Sequence, residues 1–216
     1  MNIVKRLMKA RGLSSLIFLI ALFFVVGSIN PAFLTPATIA ACFNTSVVYT
    51  LVAVGVAFTL FIGEIDVSVG SNLGLVAAVV GTMLRDGQPL IAAVVVGVVI
   101  GAAIGLINAW GVAVMKAPSL IFTLGVNGIL RGIIYVYTNG AWVENLPKSF
   151  KDFSAVTGVG DLTVYYCAVI ALVVIIHMVL TKTRRGRWFA AVGDNANGAT
   201  LVGIPTLRTK ILAYVL

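Results

Sequence analysis

The chain has 216 residues, of which 60% are hydrophobic and only 10% charged, with a mean hydropathy of +1.09. Soluble domains carry roughly 25% charged residues, so this composition excludes a water-solvated globule. The formal charge of +8 does not mark a nucleic-acid surface, because ten of the 15 basic residues fall in two short segments. These are Lys5, Arg6, Lys9 and Arg11, then Lys182, Arg184, Arg185, Arg187, Arg208 and Lys210. Basic clusters separated by long uncharged stretches follow the positive-inside pattern of membrane proteins.

Residues 1–12 read as a basic cytoplasmic tail. The uncharged run 13–29 would cover about 26 Å as a helix, close to the hydrocarbon thickness of a bilayer. It is longer than a signal-peptide core and lacks a small-residue cleavage site, so it reads as a retained first span. Asn30-Pro31 and Thr35-Pro36 punctuate a loop. A second apolar run covers 46–62 and ends at Gly63-Glu64-Ile65-Asp66, and a third covers 67–84. The polar turn 85–89 precedes a fourth run, 90–109, in which Gly97, Gly101 and Gly105 make a smooth stripe suited to close helix approach. The fifth run, about 117–138, is interrupted by Asn127 and Arg131. Residues 139–161 are mixed and polar, with Trp142 as an interfacial anchor. The sixth run is 162–180.

This gives an all-α, polytopic transmembrane fold. Six complete spans lie within 13–180, a cytoplasmic segment covers 181–205, and 206–216 begin a seventh helix. Six crossings return both basic clusters to the cytoplasm. The loop 139–161 then lies outside, where Glu144, Asp152 and Asp161 nearly balance Lys148 and Lys151. Cys42 and Cys167 have neither disulfide nor metal-site spacing, and His177 is a lone histidine near the end of an apolar run. No metal or cofactor is expected.

Three features remain for function. Glu64 and Asp66 interrupt hydrocarbon-length sequence, where an ionised carboxylate is costly. They therefore sit either at the cytoplasmic boundary or in a polar cavity, and an ordinary solvated loop is an equal reading. Arg131 either snorkels or pairs with a carboxylate such as Asp66 or with helix-end carbonyls. In 181–205, Asp194 or Asn195 can cap a short helix over about 196–202, with Gly203 stopping it and Pro205 beyond. Flanked by arginines, that helix is either a docking element or a solvated loop.

Four ordered stretches resemble the permease subunits of the ribose, xylose, arabinose and galactose class of ABC importers. Gly63-Glu64-Ile65-Asp66-Val67-Ser68-Val69-Gly70 resembles that family's Gly-Gly-Ile-Asp-Leu-Ser-Val-Gly, with Glu64 in place of the frequent second glycine. Asn108 and Lys116 to Gly125 resemble its Pro-Pro-Phe-Ile-Val-Thr-Leu-Gly region, and Ile129 to Gly132 its Leu-Arg-Gly. Gly186-Arg187, Ala191 to Asn195 and Gly203-Ile204 resemble its cytoplasmic block.

The resemblance implies a permease for a monosaccharide or related small solute in the bacterial inner membrane, with its N-terminus cytoplasmic. The implied partners are an ATP-binding subunit, a periplasmic or lipoprotein sugar-binding protein, a second permease copy or homologue, and membrane lipid, but no nucleic acid. Asp66 and Ser68, with Thr123, Asn127 and Arg131, would line the solute path. Arg187, Gly193, Asp194, Asn195 and Gly203 would form the ATPase-coupling segment, a lever pushed when the ATPase dimer closes. The chain has no Gly-x-x-x-x-Gly-Lys-Ser/Thr loop of its own, so it is expected to be no enzyme. Permeases for nucleosides, branched-chain amino acids or autoinducer-2 are the near neighbours in this class. The family runs to about ten helices, so a chain ending at Leu216 is expected to be C-terminally truncated, a fragment or half of a split subunit. An ion-coupled carrier using Glu64 or Asp66, or an inactive truncated permease, are the competing expectations.

Overall fold

The structure is a computed structural model that describes residues 12–216. The basic tail residues Lys5, Arg6, Lys9 and Arg11 lie outside the described residues. The chain is a helical polytopic membrane protein whose helices run α1 (Leu13–Ile29), α2 (Pro36–Phe61), α3 (Val69–Arg85), α4 (Leu90–Ala109), α5 (Ser119–Thr138), α6 (Lys148–Ser154), α7 (Val164–Lys182), α8 (Arg184–Asp194), α9 (Ala196–Leu201) and α10 (Thr206–Val215). A small antiparallel hairpin, Thr157–Val159 with Leu162–Thr163, interrupts the helical pattern on a turn at Gly160 and Asp161. Of the helices, α2, α4 with its extension to Val114, α5 and α7 are long and apolar enough to cross a bilayer, while α1 and α3 are shorter apolar helices.

Three boundaries differ from the sequence expectation. α2 begins at Pro36, ten residues before the apolar run 46–62. Thr35-Pro36 acts as a helix start rather than a loop: the Thr38 N–H donates to Thr35 Oγ1, and proline at the first position forfeits only a donor that would be orphaned anyway. α4 continues through a π-helical turn, Trp110–Val114, so the span extends past Ala109. The segment 181–205 holds two helices, not one. Asn195 does cap α9, accepting from the Gly198 N–H at 2.9 Å, and Gly203 ends it at φ 81°. The unexpected α8 is capped by Thr183, which accepts from the Gly186 N–H at 2.9 Å.

Burial is inverted relative to a water-soluble bundle. Ile91, Val98, Val99, Ile121, Ile129 and Val136 face outward and are more than half exposed, the arrangement expected where the solvent is hydrocarbon. The main apolar cluster sits at one end of the bundle and joins Phe58, Ile62, Ala109, Val112, Phe189, Val192, Ala199, Ala213 and Tyr214. Phe58 and Phe189 meet edge to face with centroids 5.4 Å apart, seating α8 against the end of α2. A second cluster, Leu75, Ile104 and Leu130, ties α3, α4 and α5. At the opposite end Asn44 clamps the hairpin, donating to the Asp161 carbonyl at 3.0 Å and accepting from the Thr163 N–H at 2.8 Å.

The glycine stripe of α4 serves two neighbours rather than one. Gly97 faces Val76 and Val80 of α3, whereas Gly105 lies against the Tyr214 carbonyl of α10, and Gly101 has open space in front of it. A Cβ at Gly105 would collide with backbone, which cannot rotate away. Gly105→Val is therefore expected to separate α4 from α10 and to lower the folded yield, measured as the monodisperse fraction after detergent extraction. Gly101→Ala should leave that fraction unchanged.

Candidate functional site: the loop between α2 and α3

The loop starts where α2 cannot continue. Gly63 adopts φ 77°, a left-handed conformation that a β-carbon would strain. The Gly63 N–H closes on the Leu60 carbonyl and the Glu64 N–H on the Thr59 carbonyl, each at 3.0 Å. α5 then takes two of the loop's remaining backbone donors. The Ile65 N–H donates to Ser119 Oγ at 3.2 Å, and the Val67 N–H donates to Thr123 Oγ1 at 3.1 Å. Thr123 hands its own proton to the Ser119 carbonyl at 2.8 Å.

Asp66 is the centre of a buried polar cluster. Its Oδ1 accepts from the Ser68 N–H at 2.8 Å and from the Ser68 hydroxyl at 2.7 Å. Asn108 Nδ2, from α4, donates to Asp66 Oδ2 at 3.2 Å and to Ser68 Oγ at 2.7 Å. Among the described residues the carboxylate has no ion pair. Its charge is held instead by these donors and by the N-terminus of α3, where the helix dipole favours an anion. Each hydrogen bond to a charged group contributes about 1.5–3 kcal/mol.

Asp66 also borders a cleft of about 380 Å³, whose other polar side chains are Thr59, Asn72 and Tyr214. Ser68, Asn108 and Thr123 are at most 1% exposed, so they position Asp66 and the loop rather than present surface. Asn72 Oδ1 and Asn108 Oδ1 are buried without a hydrogen-bond partner.

The structure thus gathers Asp66, Ser68 and Thr123 and separates them from the other two path candidates. Asn127 and Arg131 lie one and two steps of four residues above Thr123 on α5, so Arg131 is about 12 Å along the axis. It lines a different cleft, of about 590 Å³, with Trp142, Tyr135 and Thr138. Arg131 pairs with no carboxylate among the described residues, Asp66 included. Asn72 and Thr59 were absent from the sequence candidates. The available signal was a polar residue within an otherwise apolar span, and Asn72 carries it.

On the same side of the loop lies the segment 184–206. The backbone of Gly193 rests on the Phe61 carbonyl and the Gly63 N–H, with no room for a Cβ. Arg187, Asp194, Asn195 and Gly203 are exposed around it, and Arg187 Nη1 donates to the Lys182 carbonyl at 3.3 Å. Lys210 Nζ lies 2.6 Å from Glu64 Oε1.

A helical membrane protein with an irregular, polar, carboxylate-bearing loop packed on a non-spanning helix pair has the makings of a transport subunit. The family described as branched-chain amino acid transport system / permease component matches residues 38–216, and the chain belongs to it. Similar proteins are the autoinducer 2 import system permease proteins LsrC of Enterobacter sp. (strain 638), 38% identical over 213 residues, of Klebsiella pneumoniae, 37% identical over 213, and of Salmonella typhi, 33% identical over 214. Each alignment covers 99% of this chain but only 61–62% of the relative. The chain therefore spans less than two thirds of the length of these relatives. No solved structure matches it. Membership in a permease family favours neither the ion-coupled carrier nor the inactive-fragment reading.

Proposed function

We propose that the chain belongs to a permease subunit of an ATP-driven importer for a monosaccharide or a related small polar solute. The observation that carries this reading is the seat of Gly193 on Phe61 and Gly63, which joins α8 directly to the loop holding Asp66. A push on α8–α9 would reach the Asp66 cleft without passing through flexible chain, as rigid-body switching requires.

In this reading the described helices form six spans, with α10 opening a seventh and the N-terminus cytoplasmic. The ends of α2 and α4, the loop 62–68 and the segment 184–206 then share the cytoplasmic side, and the hairpin and α6 lie outside. The membrane is the bacterial inner membrane. Asp66 meets the solute, Thr123, Asn127 and Arg131 mark a polar line along α5, and Arg187, Gly193, Asp194, Asn195 and Gly203 form the face that a separate ATP-binding subunit drives. An external sugar-binding protein and a second permease copy or homologue complete the assembly.

The test is accessibility combined with partner capture. Arg187→Cys in right-side-out cells is expected to resist an impermeant maleimide and to react in inverted vesicles, and protein purified with its neighbours should retain an ATP-binding subunit. Labelling of position 187 from the outside would overturn the reading, since no cytoplasmic ATPase could reach it.

A further inference from the structure

Glu64 and Lys210 are 146 positions apart in sequence, yet their charged groups lie 2.6 Å apart with side chains only 18% and 24% exposed. The only other ion pair among the described residues, Arg85–Asp86, joins exposed neighbours in a turn. We propose that the Glu64–Lys210 pair is a positioning strut: it transmits displacement of the coupling segment into the Asp66 loop. The proposal rests on the importer reading above.

Geometry sets the argument. Lys210 lies in the first turns of α10, which begins directly after α9, with only residues 202–205 between them. Glu64 lies two residues from Asp66, on the stretch whose backbone is held by Ser119 and Thr123. The loop is therefore gripped by four helices: by Ser119 and Thr123 of α5 and Gly193 of α8 at its backbone, by Asn108 of α4 through Asp66, and by Lys210 of α10 through Glu64. The first three contacts are short range and uncharged on the partner's side. To the apolar packing of Ile62 with Ala213 and Tyr214, the ion pair adds a charged tie to α10 that holds over small shifts, because Coulomb attraction falls off gradually with distance where water is scarce.

Side chains and backbone also fit this assignment. Glu64 places a largely buried carboxylate at the end of an apolar helix, where the charge must be compensated. Lys210 supplies the compensation. Beside the pair opens a cleft of about 330 Å³ lined in part by Thr206, Leu207 and Ala196, which leaves α10 room to shift relative to the loop. A half-buried pair of this kind adds little net stability, since desolvation offsets most of the attraction. Its consequence is positional.

The experiment uses the transporter containing this chain, with Glu64→Lys, Lys210→Glu and the combined reversal. The first readout is the ratio of solute-stimulated to basal ATP hydrolysis, with co-purification of the ATP-binding subunit as control. Each single reversal is expected to lower the ratio about tenfold, and the combined reversal to recover most of it, as for a directly coupled pair. The second readout needs no partner: the labelling rate of an added Ile65→Cys in membranes should rise severalfold in each single reversal and return in the double. Single reversals that leave both readouts unchanged, or a double that recovers neither, overturn the strut. An unsubstituted protein that retains no ATP-binding subunit counts against the importer reading instead, and the labelling arm still decides the pair.

Discussion

Gly193→Val is expected to abolish solute uptake while leaving the spans inserted. A Cβ at position 193 meets the Phe61 carbonyl oxygen and the Gly63 backbone nitrogen, neither of which can rotate away. The only relief is to lift α8 from the end of α2, which opens the cluster of Phe58, Phe189 and Val192. Leaving a buried aromatic partly unpacked costs about 1–3 kcal/mol, but the functional loss should be larger than that figure implies. The contact is the place where α8 meets the Asp66 loop, so under the importer reading proposed above separating them removes the mechanical link itself. Uptake into membrane vesicles should fall below a tenth of the parent value, and Gly193→Ala, which carries the same colliding Cβ, should also fall well below the parent. Gly128→Ala, at a glycine with open space beside it, is the control and should behave as the parent. Parent-like uptake by Gly193→Val would show that α8 does not carry the stroke.

How much of this was legible beforehand depends on whether a feature is local. The apolar runs placed α3, α4, α5 and α7 closely, because hydrocarbon-length uncharged sequence has few alternatives. The start of α2 departs from the sequence expectation because Thr-Pro carries two meanings, a loop break and a helix start, and only the bond from the Thr38 N–H to the Thr35 hydroxyl tells them apart. α8 is hidden for a different reason: its buried face is only Gly186, Phe189 and Val192, with three arginines in its first turn, and so charged a start masks so narrow a stripe. The hairpin turn at Gly160-Asp161 had a local signal that its short strands diluted.

Contacts across the sequence were not legible at all. Burial cost marks Glu64 and Asp66 alike, since a carboxylate amid apolar sequence needs a reason, and only the family resemblance implies a solute-path role for Asp66. Nothing near it announced Asn108, 42 positions away. Gly105 was legible as one of a stripe but not as the seat of the Tyr214 carbonyl. Ser68 and Thr123 entered as residues near the solute; their burial and their bonds show that they hold the loop. A motif read in one dimension thus does not separate the residue that faces the cleft from those that aim it.

That distinction has a measurable consequence. Asn108→Leu removes two donors at once, from Asp66 Oδ2 and from Ser68 Oγ, and Ser68→Ala removes the hydroxyl standing between them. The loss at the carboxylate is about 1.5–3 kcal/mol per bond, partly offset in Asn108→Leu because the unpartnered Asn108 Oδ1 disappears with it. Each single substitution is expected to lower uptake at least about tenfold by letting the Asp66 carboxylate swing from its fixed orientation. Because both act on one carboxylate, the pair should not be additive: Ser68→Ala combined with Asn108→Leu should cost little more than the worse single change, a coupling of about 1 kcal/mol or more. Uptake rates for the four proteins, normalised to the amount in the membrane, close this cycle. Additive losses would mean that Ser68 and Asn108 serve different steps, and that the cluster does not act by aiming Asp66. Asp66→Asn separates orientation from charge, because the amide keeps an acceptor for the Ser68 N–H while losing the negative charge. Its uptake should fall as far as that of the double variant, whereas its stability in detergent should stay closer to the parent than that of Asn108→Leu.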